Sequence, residues 1–196
     1  MRTFFTSDLH FGHIGMLVFG HRPYATVEDM NKALIDNINA TVGERDELYI
    51  LGDLCMTYKP WELARDMDGI RCRNLFLVRG NHDLPTDKIA HLFRQVYEYK
   101  TITRKVNGKK VHLTLSHYPM LEWENQSRGA YMLHGHIHTL KEPGFDTSLY
   151  NVTNRGDGMR RYDVGVDAND YTPVALDDIV RFFGGVEPRS LFHRDH

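Results

Sequence analysis

The chain has 196 residues and a formal net charge of −2, enough for one domain with a full hydrophobic core and too short for two of ordinary size. Its 41% hydrophobic and 26% charged residues are those of a globular protein, and the near-neutral charge excludes a globally basic nucleic-acid binder while leaving room for a local basic patch. Two cysteines, Cys55 and Cys72, provide neither a disulfide framework nor a thiolate metal cage, and no stretch is long and apolar enough to span a membrane or to serve as a signal peptide ahead of Asp8, so a reducing, cytoplasmic compartment is expected.

Arg2 to Ser7 reads as a strand that runs straight into Asp8-Leu9-His10-Phe11-Gly12-His13. Residues two apart on a strand project to one side, so Asp8 and His10 are expected to reach a common ion. His13 either faces the same cavity or caps the loop. After the loop His21-Arg22-Pro23-Tyr24, Val27, Met30, Leu34, Ile38 and Val42 recur at helical spacing, which predicts one helix over about 26–42 with a core-facing stripe. Glu47 to Leu51 is a second buried strand and ends in Gly52-Asp53, and Pro60 opens a short helix to about Asp68. Leu75 to Val78 is a third strand. It breaks into Arg79-Gly80-Asn81-His82-Asp83, where glycine is expected to turn the backbone sharply and present an amide, an imidazole and a carboxylate to one cavity. Pro85 then starts a helix with Ile89, Leu92, Phe93 and Val96 on its inner face. Strand and helix alternate through this half, which predicts parallel strands with helices against the sheet.

The second half changes character. Tyr97 to Val106 and Lys109 to Ser116 are β-rich runs separated by Asn107-Gly108, a strong hairpin signal, and the second run ends at His117-Tyr118-Pro119. A polar loop from Glu122 to Gly129 precedes the strand Tyr131 to Leu133, which stops at His134-Gly135-His136-Ile137-His138. Lys141 to Arg160 has few periodic apolar residues and reads as a long surface loop; its Asn151-Val152-Thr153 sequon carries no meaning in a cytoplasmic protein. Arg161 to Asp167 is the last clear strand. Leu176 to Phe183 is a closing helix with Asp177 and Asp178 in its first turn and Gly184-Gly185 beyond its end.

Twelve histidines are many for this length, and seven lie in or beside these strand-end clusters. In order, the strand ends carry Asp8-x-His10, Gly52-Asp53, Gly80-Asn81-His82-Asp83, His117 and Gly135-His136-Ile137-His138. Each piece alone is an ordinary turn or solvated strand end. The ordered set of five resembles the calcineurin-like metallophosphoesterase family. The resemblance runs from Phe4 to His138, and Tyr162 to Phe183 is similar to the closing strand and helix of the small bacterial and phage members. It implies an α/β (α+β-like) fold, a four-layer sandwich of two mixed β-sheets flanked by helices, with residues 1–185 as a single domain and 186–196 as a frayed tail.

The resemblance also implies two divalent metal ions, with Asp8, His10 and His138 on the first, Asn81, His117 and His136 on the second, and Asp53 bridging both. His82 takes the place of the family's catalytic histidine near the scissile phosphate, and Asp83 that of the carboxylate orienting it. Oxygen and imidazole donors without sulfur suit manganese foremost, and iron, zinc, nickel or cobalt. Two dications facing two carboxylates leave positive charge to attract a phosphate. A water shared by such a pair can attack phosphorus directly, in keeping with the lack of a serine elbow, a phosphate-cradling Gly-rich loop or a catalytic cysteine motif. The implied reaction is hydrolysis of a phosphomonoester or phosphodiester by a metal-bridging hydroxide, with His82 assisting the leaving group.

Two departures from the family bear on specificity. Many members carry a second acid three residues after the Gly-Asp, where this chain has Met56, and this chain shows no cap domain. His13, Arg22 and the 141–161 loop are the expected substrate contacts, a guanidinium being able to hold phosphate through two hydrogen bonds. A small phosphoester or nucleotide is expected ahead of nucleic acid, since a nuclease of duplex DNA would show a basic footprint. A single-strand nuclease stays open because Tyr24, Tyr58 and Trp61 could stack on bases. A non-catalytic scaffold of the same fold is the remaining alternative, and no membrane partner is expected.

Overall fold

The computed structural model describes residues 1–56 and 59–189. Strands β1 (Thr3–Thr6), β2 (Glu47–Ile50), β3 (Asn74–Val78) and β4 (Gln95–Tyr97) run parallel, and β9 (Val174–Ala175) joins antiparallel, in the order β4-β3-β2-β1-β9. Apolar residues follow one another along these strands because both faces are covered. Phe4, Leu48, Ile50, Leu75 and Leu77 share a core with Met16 of the one-turn α1 (Gly15–Val18) and with residues of α2 (Val27–Thr41) and α3 (Pro60–Asp68), whereas their neighbours Phe5, Tyr49, Leu51 and Val78 belong to a second core. The expected helical stripe is buried at Met30, Leu34 and Ile38. The Thr26 hydroxyl caps α2 by accepting from the Asp29 N–H at 3.0 Å.

The second core lies between the two sheets. The second sheet has the order β5-β6-β7-β8, from Lys100–Val106, Lys109–Leu115, Tyr131–His134 and Arg161–Asp163. Ile102, Leu113, Leu115, Leu133 and Tyr162 meet the first sheet there, closed by Leu176 and Ile179 of α6 (Leu176–Phe182). The β5–β6 pair is the expected hairpin, with Asn107 and Gly108 at φ of 49° and 78° between the paired Val106 and Lys109, as a tight primed turn requires. β6, β7 and β8 are parallel. The fold is therefore two mixed β-sheets flanked by helices. Ser7, just past β1, bridges Gly165, just past β8, so the exit ends of both sheets meet.

Four expectations need correcting. The helix after Pro85 is a single turn, α4 (Thr86–Ile89), followed by a 3-10 turn at Ala90–Leu92, and Val96 lies in β4. The i, i+3, i+4 spacing fitted a helix, but the open edge of β3 takes a strand there, pairing Leu77 with Val96. Tyr97 consequently ends the first sheet and does not open the hairpin. The region read as a surface loop contains α5 (Leu149–Gly156), whose buried residues are Asn151 and Asn154; a polar buried face leaves no apolar period to read. Asn151 replaces a strand neighbour for β8, accepting from Asp163 N at 2.7 Å and donating to Asp163 O at 3.0 Å. The last strand stops at Asp163, and Val166–Ala168 is a 3-10 turn. Finally, Arg189 N donates to Gly158 O at 2.9 Å and Arg160 Nη2 to Val186 O at 3.1 Å, so the tail is anchored at least to Arg189; the rest of the expected frayed tail, 190–196, lies outside the described residues.

Candidate metal centre

Strands β1, β2 and β3 deliver Asp8, His10, Asp53, Asn81 and His82 to one end of the first sheet, and β6 and β7 deliver His117, His136 and His138 to the facing end of the second. The ligand turns are not continuations of the pleat. Asp8, His10, Asp53, His136 and His138 all adopt left-handed backbone, with φ of 58°, 52°, 51°, 73° and 45°. Asp8 and His10 therefore converge through two kinks held by main-chain bonds, Asp8 N to Gly52 O and His10 N to Asp53 O, each 3.0 Å, and not by strand alternation as the sequence suggested. Such conformations cost non-glycine residues of order 1–3 kcal/mol each. Gly80 does not adopt positive φ. Its service is space, because a methyl group there would overlap the carboxylate and N–H of Asp53.

Two groups of donors result. Asp8, His10, Asp53 and His138 gather within 4.8 Å of one another, and so do Asp53, His117 and His136, with Asp53 common to both. His10 Nε2 lies 3.2 Å from His138 Nε2 and 3.6 Å from Asp53 Oδ2, and His138 Nε2 lies 3.7 Å from Asp8 Oδ1. In the second group His117 Nε2 is 3.4 Å from Asp53 Oδ1 and 3.1 Å from Asn81 Oδ1. Donors each about 2.0–2.2 Å from one cation stand about 3–3.5 Å apart, so these spacings fit a pair of ions. The second nitrogen of His117 is already engaged, with Nδ1 2.8 Å from Leu51 O, which leaves Nε2 with a free lone pair.

The electrostatics point the same way. Burial pushes the Asp8 carboxyl up to about 7, with Asp163 and Asp53 adding to the rise and His138 and His117 opposing it. Burial, reinforced by His138, brings His10 down to about 3 and keeps its imidazole neutral and able to ligate. Burial alone would raise Asp53, but hydrogen bonds from His117 and from the His82 N–H outweigh it and hold the group at about 2. A donor set of carboxylate, amide and imidazole, free of sulfur and with Asp8, His10, Asp53 and His117 buried, suits divalent cations.

The remaining predicted residues divide. His82 is half-exposed, with Nε2 4.0 Å from Asp53 Oδ2 and its ring 5.5 Å from that of His10. His13 stands behind His10, Nδ1 to Nδ1 at 3.4 Å. Asp83 is not the carboxylate that orients His82. Its oxygens accept from the backbone N–H groups of Leu54 and Gly80, both 2.7 Å, and of Asp53 at 3.2 Å, so it braces the two turns that carry Asp53 and Asn81. Arg22 is not a phosphate contact either. Its side chain is 0% exposed and bidentate to Asp167, at 2.8 and 2.9 Å, because five donors buried this deeply must all find internal acceptors. Two residues escaped the sequence reading. Tyr118 packs against the rings of His117 and His136 at 5.0 and 4.6 Å, its hydroxyl 3.5 Å from Asn81 Oδ1. Asp167 bonds His138 Nδ1 at 2.8 Å. Asp167 had a signal available, since it closes an apolar run with an acid, as Asp8 and Asp53 do.

Two strand-end carboxylates and four imidazoles thus converge between two mixed sheets, the arrangement of a candidate divalent-metal site in an α/β sandwich. The sequence profile of the calcineurin-like phosphoesterases matches residues 1–153, and the chain belongs to that family. It is 33% identical over 182 residues to an uncharacterised protein of Methanocaldococcus jannaschii, covering 92% of this chain and 90% of that one. It is 25% identical to the gene 66 protein of Mycobacterium phage L5, covering 85% and 86% of the two chains. A crystal structure of a protein of unknown function from Aquifex aeolicus superposes with a TM-score of 0.68 at 22% identity, covering 92% of this chain and 98% of that one, and shows the same fold. Among the described residues no helix is long and apolar enough to cross a membrane.

Proposed function

We propose that this protein is a dinuclear metal-dependent phosphoesterase that hydrolyses small phosphoesters of nucleotide size. One observation carries the reading: Asp53 presents one oxygen to each donor group, Oδ2 to His10 at 3.6 Å and Oδ1 to His117 at 3.4 Å, the posture of a bridge between two ions. Bound there, a pair of dications would supply an acidified water and positive charge for the phosphoryl oxygens. The chain's own residues do the rest. Asp8, His10 and His138 would hold one ion and Asn81, His117 and His136 the other, while Asp83 fixes the backbone of the turns that carry Asp53 and Asn81. His82, exposed at the mouth and outside both donor groups, is placed to give a proton or hydrogen bond to the departing oxygen.

Next to His82 opens a cleft of about 470 Å³ lined by Met56, Leu84, Pro85 and Lys88, within the range of small-molecule sites. Met56 stands where an acid would add negative charge, the Asp83 carboxylate at the cleft's base is turned to backbone N–H groups, and Lys88 makes no ion pair among the described residues, so the cleft suits an anionic organic leaving group. A base-stacking platform finds less support. Tyr24 is packed edge-on against Tyr171 at 5.5 Å, Trp61 stands exposed on α3, and Tyr58 lies outside the described residues.

The test is hydrolysis of bis(p-nitrophenyl) phosphate and of a panel of nucleotides by manganese-loaded protein, beside His82→Ala. Wild-type turnover is expected only with metal. His82→Ala should retain two equivalents of metal and lose about 10²–10⁴-fold in turnover. Absence of turnover on every ester with two metals bound would favour a scaffold, and undiminished turnover in the variant would remove His82 from the chemistry.

A further inference from the structure

Arg22 and Asp167 form a buried unit behind the first donor group. Arg22 grips the Asp167 carboxylate with Nε and Nη2, at 2.8 and 2.9 Å, and turns its other donors to the main-chain carbonyls of Asp8 at 2.7 Å and Leu9 at 2.9 Å. Those carbonyls belong to the kinked turn that presents Asp8 and His10. On its other side Asp167 Oδ2 accepts from His138 Nδ1 at 2.8 Å. The Asp167 carbonyl also takes the N–H of Lys141 at 3.1 Å, and the N–H of neighbouring Val166 bonds Ser7 O at 3.1 Å. The side chains of Arg22 and Asp167 are 0% and 2% exposed, so neither can meet a substrate. Asp167 also lies beyond residues 1–153, the span matched by the family profile.

We propose that Arg22 and Asp167 are a positioning pair for the first metal: Asp167 keeps the His138 proton on Nδ1 and so leaves Nε2 free to ligate, while Arg22 locks that carboxylate to the backbone of Asp8 and Leu9. The inference rests on reading the centre as a two-ion site. An imidazole has one proton to place when neutral, and a carboxylate at one nitrogen decides which nitrogen keeps a lone pair. A carboxylate partner also makes the ligating nitrogen more basic and stops the ring from turning. Arg22 suits the role because its planar fork fixes both carboxylate oxygens while its spare N–H groups reach the ligand turn, a geometry an ammonium cannot reproduce. The Asp8–Leu9 turn that leads into His10, and the His138 ring, are thereby tied to one guanidinium–carboxylate pair.

The experiment uses the full chain loaded with zinc or manganese, as wild type, Asp167→Asn and Asp167→Ala. Chelator competition reads the affinity of each metal equivalent, and long-range proton–nitrogen NMR of the same full chain before loading, where no ion dictates the tautomer, reads which nitrogen of His138 carries the proton. Wild type is expected to bind two equivalents and to show the Nδ1–H tautomer. In the variants one equivalent should weaken about 10–100-fold, the other should stay within about twofold, and the His138 signal should lose its Nδ1–H signature in Asp167→Ala. A merely structural role would weaken both equivalents together and leave the tautomer unchanged, which would overturn the proposal. If Asp167→Ala does not fold, Arg22→Lys supplies the same comparison, with selective weakening of one equivalent supporting the pair and wild-type affinity for both overturning it. Wild-type protein that binds no metal would overturn the two-ion reading and the pair with it, whereas two wild-type equivalents beside indifferent variants would overturn the pair alone.

Discussion

Asp53 and Asp83 stand thirty positions apart in sequence and differ in role, one shared by both donor groups and the other turned to the backbone. Asp53→Ala removes the carboxylate that both donor groups share, so metal analysis of that variant is expected to find both equivalents lost. Asp83→Ala should act through stability. It strands three backbone N–H groups, of Asp53, Leu54 and Gly80, and unsatisfied buried donors cost about 1–3 kcal/mol each. A fall of about 3 kcal/mol or more is expected in denaturant unfolding of the metal-free chain; a midpoint within error of wild type would refute the bracing role. Most candidate ligands were legible because their types are chemically conspicuous and each sits at the end of an apolar run. The supporting groups were not. Asp83 stands beside His82 in sequence yet turns its oxygens to the main chain, and Arg22 looks like any loop arginine until its partner, 145 residues later, is known.

Elements announced themselves when their buried face was apolar. Helix α2 shows its stripe plainly, and the β5–β6 hairpin is written in Asn107-Gly108. Helix α5 is silent because Asn151 does the work usually given to a hydrophobic residue, satisfying both main-chain groups of Asp163 at the edge of β8. Asn151→Leu conserves bulk and removes those bonds, so it should destabilise the fold by about 1–3 kcal/mol, since the buried Asp163 N–H loses its acceptor while the carbonyl keeps the Asn169 amide at 3.0 Å. Thermal melts would show it, and a neutral outcome would mean that α5 is held by something other than this amide. Burial of Asn151 at 0% exposure also closes the sequon to any modifying enzyme in the folded state. β4 illustrates the opposite failure, a segment with helical spacing recruited as a strand because β3 needed a neighbour.

The molecule as a whole is two sheets that touch at their exit ends. Asp8, His10, Asp53 and Asn81 come from the first sheet and His117, His136 and His138 from the second, so cations at the centre would clamp one sheet to the other. Ligands that bind only the native state stabilise it by about 2.7 kcal/mol at a hundredfold excess over their dissociation constant. For a chain of this size that corresponds to about 5–10 °C in melting temperature. Chelation should lower the midpoint by that amount, and manganese should restore it; a midpoint indifferent to chelator would argue against a clamp. The parallel half of this architecture was readable from alternating strands and helices. The crossover at Glu98 and Tyr99, where the chain leaves one sheet for the other, carries no such signature.

Five of the donors stand on left-handed backbone that ordinary side chains avoid. A cation that fastens those turns also opposes their tendency to unwind, so starvation for metal should be felt first in local backbone mobility and only later in global unfolding. Deuterium uptake is expected to quicken at Asp8 to His10, around Asp53 and at His136 to His138 in chelated protein, while the amides of β1, β2 and β3 keep their protection. The centre would then work as a fastener whose release is written into the torsion angles of the residues that hold it.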